Sequence, residues 1–274
     1  MKKMTLEEIQ SVSLDILKDV HAFCVRNDIH YSLAYGTLIG AIRHKGFIPW
    51  DDDIDIILPR PEYDRFCATY KSDNYVLFSN GKDHDGYMPA FARVCDCKRT
   101  HADMMFPFAQ REYGIWIDVF PADCVSDRYG FFKKHYFLSK TLYAWENRAR
   151  NSRIKFPCKN QSVYYNCKLL AKKIVTLNGQ TALLSTRHQK KAAQIFLWGS
   201  TSHWSQLCCC DDGVRSYHEI EFLSDYLLMP FEDAEFFVMK GYDRFLRNIY
   251  GDYMQLPPIE QRQPRFHATV FYWK

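Results

Sequence analysis

No stretch of this chain approaches the roughly 18 consecutive apolar residues that a membrane-spanning helix requires. Behind Met1-Lys2-Lys3 the sequence turns at once to a polar helical pattern, without the apolar core of a secretory leader. These two absences predict a cytoplasmic protein. The paired two-residue spacing of a zinc ribbon is missing as well. Cys95-x-Cys97 and the run Cys208-Cys209-Cys210 do not supply it, so the ten cysteines read as reduced, mostly buried thiols. No internal repeat appears at solenoid periods, and no nucleic-acid motif is present, which predicts no nucleic-acid partner. Acidic residues nearly vanish from 128–200. That stretch holds 15 Lys plus Arg and one acid, Glu146.

What remains is an ordinary globular composition: 274 residues, 47% hydrophobic and 25% charged. One catalytic domain over 1–274 fits that length, interrupted at about 128–200 by a basic, mostly helical insert. The net charge of +4 conceals a basic segment set against an acidic remainder. A face of this kind suits peripheral contact with an anionic membrane at its cytoplasmic side. The competing reading is a solvated helical insert whose aromatics, Phe131, Phe132, Tyr136 and Phe137 among them, face the core.

Thr5 and Glu8 match a capping box, and Leu6, Ile9, Ile16, Leu17, Val20 and Phe23 follow at helical spacing. The helix should end near Asn27-Asp28. Ile29–Ala34 reads as a strand broken by Gly36, with a helical piece running on to about Ile42. Residues 53–58 read as a strand closed by Pro59, and Glu62–Tyr70 as a helix. Val76–Ser79, Ala90–Val94 and Gly114–Phe120 read as strands, the last with Ile115, Ile117 and Val119 alternating against Trp116, Asp118 and Phe120. Tyr242–Tyr250 reads as a helix stopped by Gly251 in a left-handed cap.

The chemistry concentrates between Tyr35 and Leu58. Asp51, Asp52, Asp53 and Asp55 crowd four carboxylates into five residues, which costs energy unless a cation sits among them. On a strand, Asp53 and Asp55 would share one face, about 6.6–6.8 Å apart. Such a pair suits Mg²⁺, with Mn²⁺ as the alternative ion, because that cation keeps open positions for water and phosphate. Gly36-Thr37, between a strand and a helix, offers backbone N–H groups to a phosphate. Arg43, His44 and Lys45 follow and can neutralise its charge. A phosphate cradle one short helix away from a metal strand is a phosphoryl-transfer arrangement.

The string Tyr-Gly-Thr-Leu-Ile-Gly-Ala-Ile-Arg-His-Lys-Gly-Phe-Ile-Pro-Trp-Asp-Asp-Asp-Ile-Asp, from Tyr35 to Asp55, resembles the signature of the LicD family of phosphocholine transferases, to which fukutin-related proteins are similar. Phe91-Ala92-Arg93-Val94, Ile117-Asp118-Val119-Phe120-Pro121 and Tyr242–Pro258 resemble further segments of that family. The resemblance covers 1–124 and 215–268 and finds nothing family-specific in 128–200. It implies an α+β, nucleotidyltransferase-like fold, a mixed sheet flanked by helices. It implies Asp53 and Asp55 as metal ligands, and Asp118 as the third carboxylate, a ligand or a base. Gly36, Thr37 and Arg43 would contact donor phosphates, with Arg93 as a further phosphate candidate beside a plain salt-bridge role. His267 is a candidate for donor or acceptor contact. The implied reaction is Mg²⁺-dependent transfer of phosphocholine or a phosphopolyol from a CDP-activated donor to a hydroxyl of a cell-surface glycan, whether lipopolysaccharide, capsule or teichoic acid. Three alternatives stay open: a nucleotidyltransferase acting on a small molecule, an Asp-x-Asp glycosyltransferase using a nucleotide sugar, and a binding protein on a degenerate core.

Overall fold

The computed structural model describes residues 1–79, 89–104, 113–152, 162–177, 181–209, 212–263 and 269–274. Cys158, Cys210 and His267 lie outside the described residues. In chain order the elements are β1 (Lys2–Lys3), α1 (Leu6–Arg26), β2 (Ser32–Leu33), α2 (Tyr35–Ile39), β3 (Asp55–Pro59), α3 (Arg60–Thr69), β4 (Val76–Phe78), β5 (Ala92–Asp96), β6 (Thr100–Met104) and β7 (Ile115–Val125). There follow α4 (Tyr129–Asn151), α5 (Val163–Val175), α6 (Thr181–Ala193), β8 (His203–Ser205), β9 (His218–Glu219), β10 (Tyr226–Phe231), β11 (Ala234–Met239), α7 (Tyr242–Tyr250) and β12 (Thr269–Trp273).

Helix α1 starts where its capping box predicts. The Thr5 hydroxyl accepts from the Glu8 N–H at 3.3 Å, and the Glu8 carboxylate accepts from the Thr5 N–H at 2.9 Å. Its stripe Ile9, Val12, Ile16, Leu17, Val20 and Cys24 is buried in the main core. That core is built on a mixed sheet running β2-β3-β7-β5-β4. The β3–β7 pair is parallel, and the neighbours on either side are antiparallel. The fold is therefore α+β with a mixed sheet flanked by helices, as the sequence implies. β1, β12 and β6 form a second small sheet, and β10–β11 a separate hairpin.

Strand β7 is long enough to serve twice. Its first part pairs with β3 and β5; its last three residues, Asp123–Val125, pair with β8. Helices α4, α5 and α6 thus enter the chain between two paired strands. Alternation along β7 follows the sequence pattern at first: Ile115, Ile117 and Val119 are buried, while Trp116 and Asp118 are half-buried. Phe120 is buried too, because both faces of β7 are covered from there on.

Three expectations shift. The strand predicted from residue 53 begins at Asp55, so Asp53 stands just ahead of it and does not share its pleated face. The strand expected over 29–34 shrinks to Ser32–Leu33, and Gly36 lies inside the first turn of α2 instead of breaking the chain. Gly251 stops α7 with φ +72° but ψ −124°. That conformation suits glycine alone and is not the left-handed helical cap expected.

One buried ion pair locks α3 onto the sheet. Arg60, at the start of α3, donates Nε and Nη2 to the two carboxylate oxygens of Asp123 on β7, at 2.6 and 2.8 Å. Asp123 is 1% exposed. Removing one partner leaves a buried charge with no counter-charge, which typically costs about 3–5 kcal/mol. Arg60→Met and Asp123→Asn should each lower the urea midpoint by that much stability with an unchanged slope. A loss under about 1 kcal/mol would mean that water screens the pair.

Candidate active site

The candidate centre sits where β3 and β7 begin, side by side and parallel. Register places Asp55 on β3 directly opposite Asp118 on β7, and Asp118 opposite Arg93 on the antiparallel β5. A single row thus crosses three strands as acid, acid, base. Arg93 reaches back to Asp118: its Nε donates to Oδ1 at 2.6 Å and its Nη2 to Oδ2 at 3.4 Å. The guanidinium also lies 4.4 Å from the Trp116 ring centre and 5.4 Å from that of Phe91. Both partners are largely buried, so the pair is well shielded from solvent.

Ahead of β3, Asp51, Asp52 and Asp53 each bring one carboxylate oxygen within 4.8 Å of the others. The consequence falls on Asp55. Desolvation, then the charges of Asp53, Asp118 and Asp51, push its carboxyl well above the usual range, and Arg93 only partly offsets them. Hard carboxylate oxygens gathered this closely match in chemistry the donors that Mg²⁺ or Mn²⁺ takes.

The loop before β3 is built to hold those acids. The Thr37 hydroxyl, buried in α2, accepts the Asp55 N–H at 2.9 Å. A Cβ placed on Gly36 would meet Asp51 Oδ2 at 2.5 Å, so the missing side chain lets that carboxylate pack against α2. Gln10 of α1 donates its side-chain amide to the Asp51 carbonyl at 2.8 Å. Tyr35 opens α2 with φ +49°, a left-handed conformation that costs a non-glycine residue about 1–3 kcal/mol. Its buried ring packs on Phe120 and Phe245 at 5.9 and 5.7 Å, contacts that hold it there.

The basic residues behind α2 divide. A π turn, Gly40–His44, continues the helix, and Arg43 within it donates Nη1 to the Tyr253 carbonyl at 2.7 Å and Nε to the His44 ring at 2.9 Å. Arg43 thereby ties the site to the loop after α7. Arg262 stands close enough to depress the Arg43 guanidinium further, after desolvation. Lys45 is exposed, with φ +62°, and its carbonyl accepts the Glu232 N–H from the tip of the β10–β11 hairpin at 2.8 Å. Glu232 in turn accepts the Phe47 N–H at 2.9 Å.

The structure thus gathers Asp53, Asp55, Asp118 and Arg93 at one mouth, with Gly36 and Thr37 as their direct supports. Arg43 and Lys45 stand at the outer end of the same helix. Two neighbours were not singled out from the sequence. The Tyr250 hydroxyl is pushed upward by desolvation and then by the charges of Asp212, Asp55, Asp51 and Asp53. Asp212 heads the charges acting on Tyr35. Tyr250 ends a helix whose apolar spacing already explained it, and Asp212 follows the cysteine run in a stretch without periodicity.

A family model described as "LicD/FKTN/FKRP, nucleotidyltransferase domain" matches residues 28–162, a span that contains each of the acids and basic residues above except Asp212, Glu232 and Arg262. The chain is 35% identical over 272 residues to the lipopolysaccharide cholinephosphotransferase LicD of Haemophilus influenzae, covering 96% of this chain and 97% of that relative. It is also 27% identical over 145 residues to an uncharacterized protein of Rickettsia prowazekii, covering 52% of this chain and 48% of that one.

Thr37 tests whether the support matters. Thr37→Val leaves the Asp55 N–H without its acceptor, at a cost of about 1–3 kcal/mol. It should also weaken magnesium binding, measured by calorimetry, whereas Thr37→Ser should restore both. Equal behaviour of the Val and Ser variants would assign Thr37 to packing alone.

Proposed function

The chain belongs to the LicD/FKTN/FKRP nucleotidyltransferase family, and from that premise we propose that it transfers phosphocholine from a CDP-activated donor to a hydroxyl of a cell-surface glycan, lipopolysaccharide first among them. The activity named for the Haemophilus influenzae relative, which aligns along nearly the whole of both chains, supports the reaction and the acceptor class. The observation that carries the reading is the pairing of Asp55 with Asp118 in register beneath the cluster Asp51–Asp53.

Asp53 and Asp55 would hold Mg²⁺ or Mn²⁺, with Asp118 as the third carboxylate. Once bound, the ion supplies positive charge against the donor diphosphate. Arg43 and Lys45 add positive charge at the outer end of α2, and Gly36 and Thr37 keep the helix and the acids in register. Arg93 pairs with Asp118 and fixes its orientation, so that the carboxylate would be placed to receive the proton of an acceptor hydroxyl. In the transfer, the hydroxyl oxygen forms a bond to the phosphorus that carries choline. The bond from that phosphorus to the bridging oxygen breaks, CMP leaves with the electron pair, and Asp118 takes the proton.

The reading is tested first by binding. At 100 times its Kd, CDP-choline with Mg²⁺ should add about 2.7 kcal/mol and raise the melting temperature by several degrees. CDP-glycerol, CDP-ribitol, UDP-glucose and ATP serve as comparisons. In Asp55→Asn the magnesium-dependent shift should vanish, while the metal-free protein melts no lower than wild type, since an amide adds no charge to the crowded acids. With lipopolysaccharide as acceptor, CMP release should fall by about 100-fold or more in Asp118→Asn. A shift with UDP-glucose alone, or recovery of the cytidine nucleotide on the acceptor with release of phosphocholine, would sink the proposal.

A further inference from the structure

Helix α5 turns an apolar stripe away from the protein. Val163, Cys167, Leu170 and Ile174 follow one another at steps of four, three and four, which places them on one face of a helix. Val163 is 80% exposed, Leu170 44% and Ile174 68%, and Cys167 is exposed as well. The side turned toward the protein contributes one buried residue, Leu169. Exposed Tyr164 and Val175 widen this apolar arc on one side; at 100° per residue, Lys168 and Lys172 lie beyond that edge and Lys173 beyond the other. Lys168 lies 4.3 Å above the exposed Tyr164 ring, its stem along apolar surface and its charge outward. Helix α4 repeats the theme: exposed Phe131 and Leu138 stand seven residues apart, and Lys134 lies 5.7 Å from the Phe131 ring centre.

Charge decides what can cover this face. The single acid of 128–200, Glu146, is buried at 1% exposure, so the segment presents no exposed carboxylate among the described residues. A second copy packed symmetrically through this same face would set lysines against lysines. A surface rich in phosphate, with an apolar layer beneath it, complements both features at once.

We propose that α5 is an interfacial anchor. It lies flat on an anionic lipid leaflet, with Val163, Leu170 and Ile174 at the acyl boundary and Lys168, Lys172 and Lys173 among the head-group phosphates. Among the described residues no helix is long and apolar enough to cross a membrane, so the contact is peripheral and reversible. The proposal stands independently of the reaction assigned above.

Flotation of the full chain tests it, with vesicles of phosphatidylcholine alone and of phosphatidylcholine mixed with phosphatidylglycerol. The wild type should float with the anionic vesicles and stay behind with the neutral ones, and added salt should weaken the association. Lys168→Gln, Lys172→Gln and Lys173→Gln together should lower the partition coefficient by about two orders of magnitude. Ile174→Glu should abolish flotation while melting like wild type. Leu170→Gln, a milder change, provides the same reading if Ile174→Glu fails to fold. Equal flotation on neutral vesicles, no flotation at all, or wild-type flotation of the triple lysine variant would overturn the proposal. So would a concentration-dependent dimer in sedimentation velocity that Ile174→Glu dissolves, since the face would then belong to a second copy.

Discussion

Carboxylates crowded at the mouth of two parallel strands are the constraint to which the rest of this fold answers. Asp55 and Asp118 face each other across β3 and β7, and Asp51, Asp52 and Asp53 close over the same end. Left alone, such charges would push the strands apart or take up protons. Each neighbouring element counters a part of that repulsion. β5 supplies Arg93 to Asp118, and α2 offers the Thr37 hydroxyl to the backbone of Asp55. Gly36 leaves room for Asp51, while α1 fastens the Asp51 carbonyl through Gln10. The remaining repulsion, visible in the raised Asp55 carboxyl, is what a divalent cation would relieve.

The supports need a rigid base, and it lies at the other end of the same two strands. Asp123, five residues beyond Asp118 on β7, is clamped by Arg60, the residue that follows β3. The clamp joins the far ends of the two strands whose near ends carry the acids. It is costly in desolvation and adds little net stability over an apolar pair. Its effect is geometric, because it fixes how β3 and β7 lie against each other and hence how Asp55 meets Asp118. Strain at Tyr35 belongs to the same economy: a left-handed residue is tolerated at the start of α2 because Phe120 and Phe245 hold its ring in place.

Much of this was legible in the residues. The capping box of α1 and the alternation along β7 involve local hydrogen bonds and a period of two, and both appear where the sequence puts them. The acids and their order were legible because charge density is itself a sequence property. What escaped was everything that depends on contacts distant in the chain. Asp53 leaves the strand because β3 finds its parallel partner only from Asp55 onward. Arg43 looked like a bare cation in sequence, yet two of its nitrogens are bound, one to a carbonyl 210 residues away. The approach of Tyr250 to the acids follows from the docking of α7, which no periodicity reports. Lys45 and Glu232 join the site's outer loop to the hairpin β10–β11 through backbone atoms, which side-chain identity does not encode.

Segregation of charge along the chain gains a physical meaning in this arrangement. An acidic centre and a basic insert would attract one another if they could touch. The insert is instead spliced between β7 and β8, and among the described residues its basic residues, Arg128 apart, lie on helices whose one acid is buried. A net charge near neutrality therefore says little about either surface, since the two fields act at different places. Helix packing points the same way. A helix that merely covered a core would turn Val163, Leu170 and Ile174 inward and its lysines outward. In α5 both kinds of side chain face outward, the feature on which the proposed contact with an anionic leaflet rests.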